Sequence, residues 1–456
     1  MFFPFYILVL LVTCVEAQDN PLTLDELLVG VKERFPLVAG AKQDKVAAEG
    51  EVRSAEGAFD VGWKTKLGVD RFGYYENQQL DSFLEQPTTL WGTRFLAGYR
   101  LGTGSFAAYD GKLATNPFGE IRAGFQVPLW RDGPIDRNRA SLSRAKLGVS
   151  IADTQVTQQR IDAVRTATHR FWDWVGAAKK VVIYKELLNT AEVRDKGLEQ
   201  RVKLGDLPDF ERRDNERAIL QRRSQLVAAV RGLENASIEL SIYLRDQSGE
   251  PVLSAAERAP EIPEPNRENE PHIDFEIAFK NRPDFGRLAL VSEQVEIDRQ
   301  LAENQQMPKI DVELLAVQNL RDGDPARNGT RLAAGVMVEI PLQTNVAGGR
   351  GEAARATNQR VELQRKLLRD RIVAEVRDSH SALNAAFQRV DLTRKETELA
   401  RLMEKGERER FTHGDSNQLF VNLREQASAD AAVREVEALT DYHKSLATLR
   451  AALGLD

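Results

Sequence analysis

Residues 201–206 read Arg201-Val202-Lys203-Leu204-Gly205-Asp206, and residues 410–415 read Arg410-Phe411-Thr412-His413-Gly414-Asp415. Both are R-x-x-x-G-D, and their glycines lie 209 positions apart, Gly205 to Gly414. A second pair of landmarks precedes them: Pro128-Leu129 and Pro341-Leu342, 213 positions apart, each closing an alternating stretch. Two landmarks in one order at nearly one offset point to an internal duplication.

Upstream of each R-x-x-x-G-D the chain reads as a very long helix. No proline occurs between Asp136 and Leu204. Leu142, Ala145, Val149, Ala152 and Val156 follow 3-4 spacing, which then shifts to Ile161, Val164, Thr168, Phe171 and Val175. The second half gives Ile372, Val376, Ser379, Leu383, Ala386 and Val390. This is a coiled-coil seam with small residues that admit close helix approach. At 1.5 Å per residue such a helix is roughly 100 Å long, too long for a compact core. Gly205 and Gly414 are expected to end these helices. Asp206 with Pro208, and Asp415 with Ser416-Asn417, are expected to start the return helices, Asp209 to Arg245 and Gln418 to Leu453.

Further upstream each half has a helical segment, about Leu24 to Gly57 and about Ile273 to Gln305, followed by alternating stretches. These are Asp60 to Phe72 and Glu120 to Leu129, then Ile310 to Val317 and Arg331 to Leu342. Each is about ten residues, the length of a tilted strand that crosses a bilayer. One chain has too few strands to close a barrel around a channel, and open strand edges cannot face lipid. Several copies must share one barrel, under cyclic symmetry.

Composition narrows the classes. The 456 residues carry a formal net charge of −6, which gives no electrostatic case for nucleic acid. Mean hydropathy is −0.41, and after residue 17 no run of about 18 apolar residues occurs. Phe2 to Val15 is almost wholly apolar, and Val15-Glu16-Ala17 precedes Gln18 in a small-x-small pattern. Residues 1–17 therefore read as a secretory signal peptide, though without Lys or Arg before the apolar run. Cys14 is the only cysteine; lipidation at Leu11-Val12-Thr13-Cys14 is the competing reading of this segment. His169, His272, His380, His413 and His443 are scattered without metal-ligand spacing, and no phosphate loop or nucleophile elbow is present. No catalytic, cofactor or metal site is expected.

The run Val127-Pro128-Leu129-Trp130-Arg131-Asp132-Gly133, followed by Asn138-Arg139-Ala140, resembles the strand-to-helix junction of TolC-like outer membrane efflux proteins. Asn281-Arg282-Pro283-Asp284 resembles their Arg-Pro-Asp helix motif, and Gly348-Gly349-Arg350 their second junction. The two R-x-x-x-G segments resemble the periplasmic hairpin tips. The resemblance spans essentially the whole chain after residue 17. It implies an α+β membrane protein: a homotrimer whose 12-stranded barrel, about four strands per subunit, continues into a periplasmic α-helical coiled-coil barrel. It divides the chain into a first repeat at 18–265 and a second at 266–456. It implies a passive outer membrane conduit for small molecules or proteins, docking a periplasmic membrane-fusion adaptor that serves an inner membrane pump or exporter. Leu204, Gly205, Asp206, Leu207, Thr412, His413, Gly414, Asp415 and Ser416 are the tip residues this assigns to docking. A non-enzymatic periplasmic scaffolding coiled coil is the alternative from another class.

Two departures from the family pattern stand out. Aspartates six and nine residues after the second tip glycine are replaced by Phe420 and Leu423, while Glu211 and Asp214 hold the matching first-repeat positions. A periplasmic gate is expected among these four residues, acidic or apolar, and apolar rings close by dewetting. Asp60 to Pro128 also spans 68 residues where Asp311 to Pro341 spans 30, and the excess holds a further alternating stretch, Thr93 to Leu101. An appended hairpin or outer loop over 90–115 is expected. Tyr74, Tyr75, Trp91, Tyr99, Phe106 and Tyr109 serve there either as an interfacial girdle or as local packing.

Overall fold

The computed structural model describes residues 20–456. The apolar segment and its cleavage or lipidation site lie outside the described residues. The element order is α1 (Leu24–Arg34), α2 (Pro36–Glu56), β1 (Gly62–Asp70), β2 (Asn77–Pro87), β3 (Arg94–Gly104), β4 (Glu120–Pro128), α3 (Arg137–Lys203), α4 (Asp209–Ser241), α5 (Phe275–Asn281), α6 (Pro283–Asn304), β5 (Lys309–Asn319), β6 (Thr330–Glu339), α7 (Asn345–His413) and α8 (Gln418–Ala452). Helix pair, strands, long helix and return helix thus occur twice along the chain.

Proline breaks both leading helical segments, which the sequence pattern presents as single helices. Phe35 turns extended before Pro36, and Arg282 does so before Pro283. Proline crowds the preceding residue out of the helical region and starts the next helix without needing a donor. In the Arg-Pro-Asp motif, Arg282 pairs with Asp284 through Nε to Oδ1 at 3.1 Å and Nη2 to Oδ2 at 2.7 Å. The carboxylate also accepts the Phe285 N–H.

The chain forms two compact units. One comprises residues 39–159 and 274–374 and contains the sheet; the other comprises the described residues to 38, 160–273 and 375–456. Each draws on both halves of the sequence. In the first unit six antiparallel strands lie in the order β1-β2-β3-β4-β5-β6. This corrects the expectation of about four strands. Thr93 to Leu101 is neither an outer loop nor an appended hairpin. It forms β3, paired on one side with β4 and on the other with β2, a strand the pattern hides. Of the side chains that β2 places on the apolar face, only Leu80 and Leu84 are apolar; Gln78, Ser82 and Gln86 blur the alternation.

In the second unit Leu27, Val31, Phe35 and Val38 pack with Ala163, Ala167, Phe171, Trp174 and Val175 of α3 and with Leu240 and Leu244. The sequence's second seam, Ile372, Val376, Ser379, Leu383, Ala386 and Val390, is buried within a single chain. This seam, which the heptad pattern of the sequence would place between the helices of neighbouring subunits, is therefore consumed inside one chain. The apolar residues that α7 leaves exposed are others, among them Leu363, Leu367, Leu392, Leu399 and Leu402.

Both long helices end identically. Gly205 has φ +82° and Gly414 φ +84°. Asp206 N–H donates to the Arg201 carbonyl at 2.9 Å and Gly205 N–H to Val202 at 3.0 Å; Asp415 to Arg410 and Gly414 to Phe411 repeat the pattern at 2.9 and 3.2 Å. This is the Schellman closure, and glycine serves it by its backbone, since a Cβ would meet nothing within 4 Å at either site. The return helices begin as expected at Asn417 but not at the aspartates. Asp206 and Asp415 are not caps. Pro208 precedes α4 without a side-chain cap bond, whereas Asn417 caps α8 by accepting the Phe420 N–H at 3.1 Å.

Leu383→Ala removes buried methyl groups from a fully enclosed site. It should destabilise the chain by about 2–5 kcal/mol. Thermal unfolding in detergent followed by circular dichroism checks this; an unchanged midpoint contradicts the burial.

Candidate functional site

Side chains alternate along each strand, so the ladder register fixes which residues share a face. Trp63 lies opposite Leu84, which lies opposite Ala97, then Ala123. Ala123 leads to Ala316 and Leu332. The same face carries Leu67, Leu80, Phe95, Tyr99, Leu101, Ile121, Phe125, Val312, Leu314, Val336 and Val338. It is apolar across all six strands. Its large side chains stand in the open, with Trp63 76%, Leu67 74% and Leu332 83% exposed. Of its polar members, Gln78, Thr103, Gln318 and Thr330 fall at the strand ends that bear loops 71–76, 105–119 and 320–329, Gln86 falls at the other end, and Thr65 and Ser82 lie mid-strand with their hydroxyls 3.0 Å apart.

The opposite face is charged: Lys64, Lys66, Asp81, Glu85, Arg94, Arg100, Glu120, Arg122, Lys309, Asp311, Glu313, Arg331 and Glu339. Its charges pair across strands. Arg100 Nε donates to Asp81 at 3.1 Å, Arg122 stands 3.6 Å from the same carboxylate, and Lys64 bonds Glu85. A soluble sheet buries its apolar face and wets its polar one. Here the apolar face has no cover and the charged face holds a network, the pattern of a barrel wall with lipid outside and water inside.

Aromatic residues mark both rims. Phe72, Tyr74 and Tyr109 stand fully or nearly fully exposed in the outer loops, and Trp91 and Trp130 lie at the end from which the helices leave. Tyr99 sits on the apolar face and donates to the Phe118 carbonyl at 2.9 Å. Asn116, almost wholly buried, ties two outer loops, donating to the Arg321 carbonyl at 3.2 Å and to Asn328 Oδ1 at 3.0 Å while accepting the Asp324 N–H at 3.1 Å. At the strand-to-helix junction Arg139 donates to the carbonyls of Asp132 and Gly133 at 2.6 and 2.8 Å and to Asp136 at 2.6 Å. One side chain thus holds the turn that carries β4 into α3.

No family model matches the chain, and no curated protein matches it. Solved structures do. The CmeC outer membrane channel of Campylobacter jejuni superposes with a TM-score of 0.66 at 12% identity, covering 94% of this chain and 85% of that one. The MtrE outer membrane channel of Neisseria gonorrhoeae, in its open state, gives 0.65 at 15% identity, covering 95% and 89%. The outer membrane protein VceC of Vibrio cholerae gives 0.66 at 15%, covering 94% and 96%. The chain has the fold of outer membrane channels. The α+β fold that the TolC-like resemblance implied is observed, with six strands in the chain in place of about four.

The second unit brings the two tips together. Leu204, Gly205, Asp206, Thr412, His413, Gly414 and Asp415 are exposed, and Leu207 and Ser416 half-buried. The four expected gate residues divide. Glu211 accepts the Gln418 N–H at 3.0 Å at the start of α8, and Asp214 accepts from Asn422 Nδ2 at 3.1 Å. Both acids are thus engaged by the second hairpin of their own chain. Phe420 and Leu423, about half exposed, lie three residues apart on one side of α8.

Deeper along the hairpins lies a cluster the sequence reading missed. Glu425 on α8 is fully buried and takes guanidinium groups from the three other long helices. Arg194 of α3 bonds it, Arg222 of α4 stands at 2.9 Å and Arg408 of α7 at 2.9 Å. Arg222 also donates to the Leu187 carbonyl at 3.0 Å, so its second nitrogen is satisfied. The sequence signal was a glutamate at a seam position, in register with Gln418, Val421 and Ser428. The three arginines come from distant segments that no spacing connects. Among the described residues, no group of three or more His, Cys, Asp or Glu is placed to hold a metal ion, and no helix is long and apolar enough to cross a membrane.

Burial alone raises the Glu425 pKa, but Arg194, Arg222 and Arg408 outweigh it and hold the carboxyl below its ordinary 4.5. A depressed folded-state pKa contributes stability above the unfolded value that is lost as pH falls through the folded one. The helical hairpins should therefore lose stability as pH drops below 4.5. Glu425→Gln should cost about 3–5 kcal/mol at neutral pH, by leaving buried guanidiniums unpaired, and should flatten the acid limb. Unfolding midpoints from pH 3 to 7 for both proteins check this. A variant with the wild-type acid limb contradicts the role given to Glu425.

Proposed function

We propose that the chain is a subunit of an outer membrane channel serving an efflux pump or a type I secretion system. It acts as a passive conduit from periplasm to exterior, as a homotrimer residing in the outer membrane with its helical part in the periplasm. The observation that carries this reading is the two-faced sheet with unpaired outer edges. A sheet that is apolar on one face and charged on the other has a stable home where lipid and water meet it on opposite sides. A scaffolding coiled coil gives that face no role. The fold likeness to CmeC, MtrE and VceC supports the same reading. The exposed apolar residues of α7 are available to neighbouring copies.

Within this reading the tips dock a periplasmic adaptor joined to an inner membrane pump or exporter, and Phe420 and Leu423 supply an apolar closure. Exposed glycines at positive φ allow another backbone to approach closely. Leu204, exposed at 76%, and Phe210, at 75%, stand apolar without a partner beside the first tip. Glu211 and Asp214 keep a structural role, holding the start of α8.

Gly205→Glu and Gly414→Glu should leave oligomer mass in detergent and membrane insertion intact while abolishing export. Strain at the left-handed position costs about 1–2 kcal/mol, too little to unfold the chain. Susceptibility to toxic compounds, or cargo secretion, is measured in cells carrying each variant at wild-type levels. Normal export by both variants removes the docking role. Absence of any ion conductance from the reconstituted chain carrying Phe420→Ala and Leu423→Ala removes the channel itself.

A further inference from the structure

β2 and β3 have no counterpart in the second half of the chain, where two strands suffice. They are nevertheless not an attachment at the rim. They stand inside the sheet between β1 and β4. β1 pairs with β2 along its whole length, from Gly62↔Glu85 to Asp70↔Asn77. β3 pairs with β4 from Arg94↔Gln126 to Arg100↔Glu120.

Their facing agrees with that of their neighbours. Leu80, Leu84 and Leu101 continue the apolar face, and Asp81 and Arg100 the charged one. Their charges complement the flanking strands: Glu85 takes Lys64 of β1, and Asp81 lies 3.6 Å from Arg122 of β4. The turn between them is fitted to the strand-to-helix junction. Gly92 has φ +68°, and a Cβ there would stand 2.5 Å from the Asp132 carbonyl; one on Gly133 would stand 2.7 Å from the Trp91 indole nitrogen. A loosely attached hairpin needs none of these matches.

Strand direction alternates across all six strands, so β6 runs opposite to β1 and their free edges are antiparallel complements. Resting on the channel reading above, we infer that copies of this chain close a barrel with six wall strands each, β6 of one copy pairing with β1 of the next. The β2–β3 pair enlarges the pore. Removing an even number of strands preserves direction and facing, since Trp63 reaches Ala123 through Leu84 and Ala97 on one face. A chain lacking residues 76–105 can therefore pair β1 directly with β4. Barrel diameter grows roughly linearly with strand number. The shortened wall has two-thirds of the strands whatever the number of copies, so the pore area falls to roughly half or less.

The experiment compares the full-length chain and the chain lacking 76–105, both carrying Phe420→Ala and Leu423→Ala so that the proposed closure does not limit the current, in planar bilayers, by single-channel conductance and by the size of polyethylene glycol that blocks it. Conductance reduced to roughly half or less, with a smaller excluded polymer, supports the inference. Equal conductance and exclusion overturn it. A second arm keeps the chain at full length, with Cys14 replaced by serine and Leu101→Cys carrying an environment-sensitive fluorophore. Quenching by nitroxide-bearing lipid supports a wall position. Failure of that lipid to quench, with accessibility equal to a Tyr74→Cys probe in the outer loop, overturns it even where the shortened chain does not assemble. Absence of conductance from the full-length chain carrying Phe420→Ala and Leu423→Ala overturns the channel reading, and the quenching arm then still decides whether β2 and β3 face lipid.

Discussion

A strand edge presents a row of N–H and C=O groups that need partners, and hydrocarbon offers none. The sheet has two such edges, β1 and β6, and an apolar face that its own chain leaves uncovered. Water cannot satisfy the face, and lipid cannot satisfy the edges. Closure with further copies meets both demands at once. In the proposed channel, assembly is on this argument a condition for the sheet to persist.

The helices meet that demand with a divided surface. Leu383, Val376 and their neighbours are consumed inside one chain, whereas Leu392, Leu399 and Leu402 stay outside it. A helix in a compact domain has one apolar stripe facing one core. α7 has a buried stripe and an exposed one, and in the proposed trimer the exposed one is left for a neighbouring copy. Small residues at buried positions, Ala163, Ala167 and Ala386, keep the helices close enough for both.

The buried Glu425 cluster stands apart from this apolar logic. One carboxylate facing three guanidiniums is a costly arrangement in low dielectric and is seldom the most stable filling of a site. It imposes specificity, because Arg194, Arg222 and Arg408 reach Glu425 only when all four long helices stand in one register. Seams of leucine and alanine allow helices to slip; a fixed four-helix ion cluster does not. The Glu211 bond to the start of α8 and the Asp214 bond to Asn422 extend the same polar fastening toward the tips.

Much of this was legible in the sequence. The duplicated R-x-x-x-G-D fixed both helix reversals because a Schellman end needs glycine at positive φ, a local requirement that neighbouring residues encode. Heptad spacing located the long helices, and period-two alternation located β1, β4, β5 and β6 and marked the stretch of β3 without placing it in the sheet. Tertiary structure alone decided the rest. β2 was hidden because Gln78, Ser82 and Gln86 occupy outward positions, and only pairing with β1 and β3 makes a strand of it. The assignment of a seam to the inside or the outside of a chain depends on which helix lies opposite, which periodicity does not contain. Glu425 reads in sequence as one more charge on a helix; its burial exists only after segments more than 200 residues apart converge, as Arg222 and Glu425 do. Local conformation is written in the order of residues, whereas partnership between distant segments is written only in the packed chain.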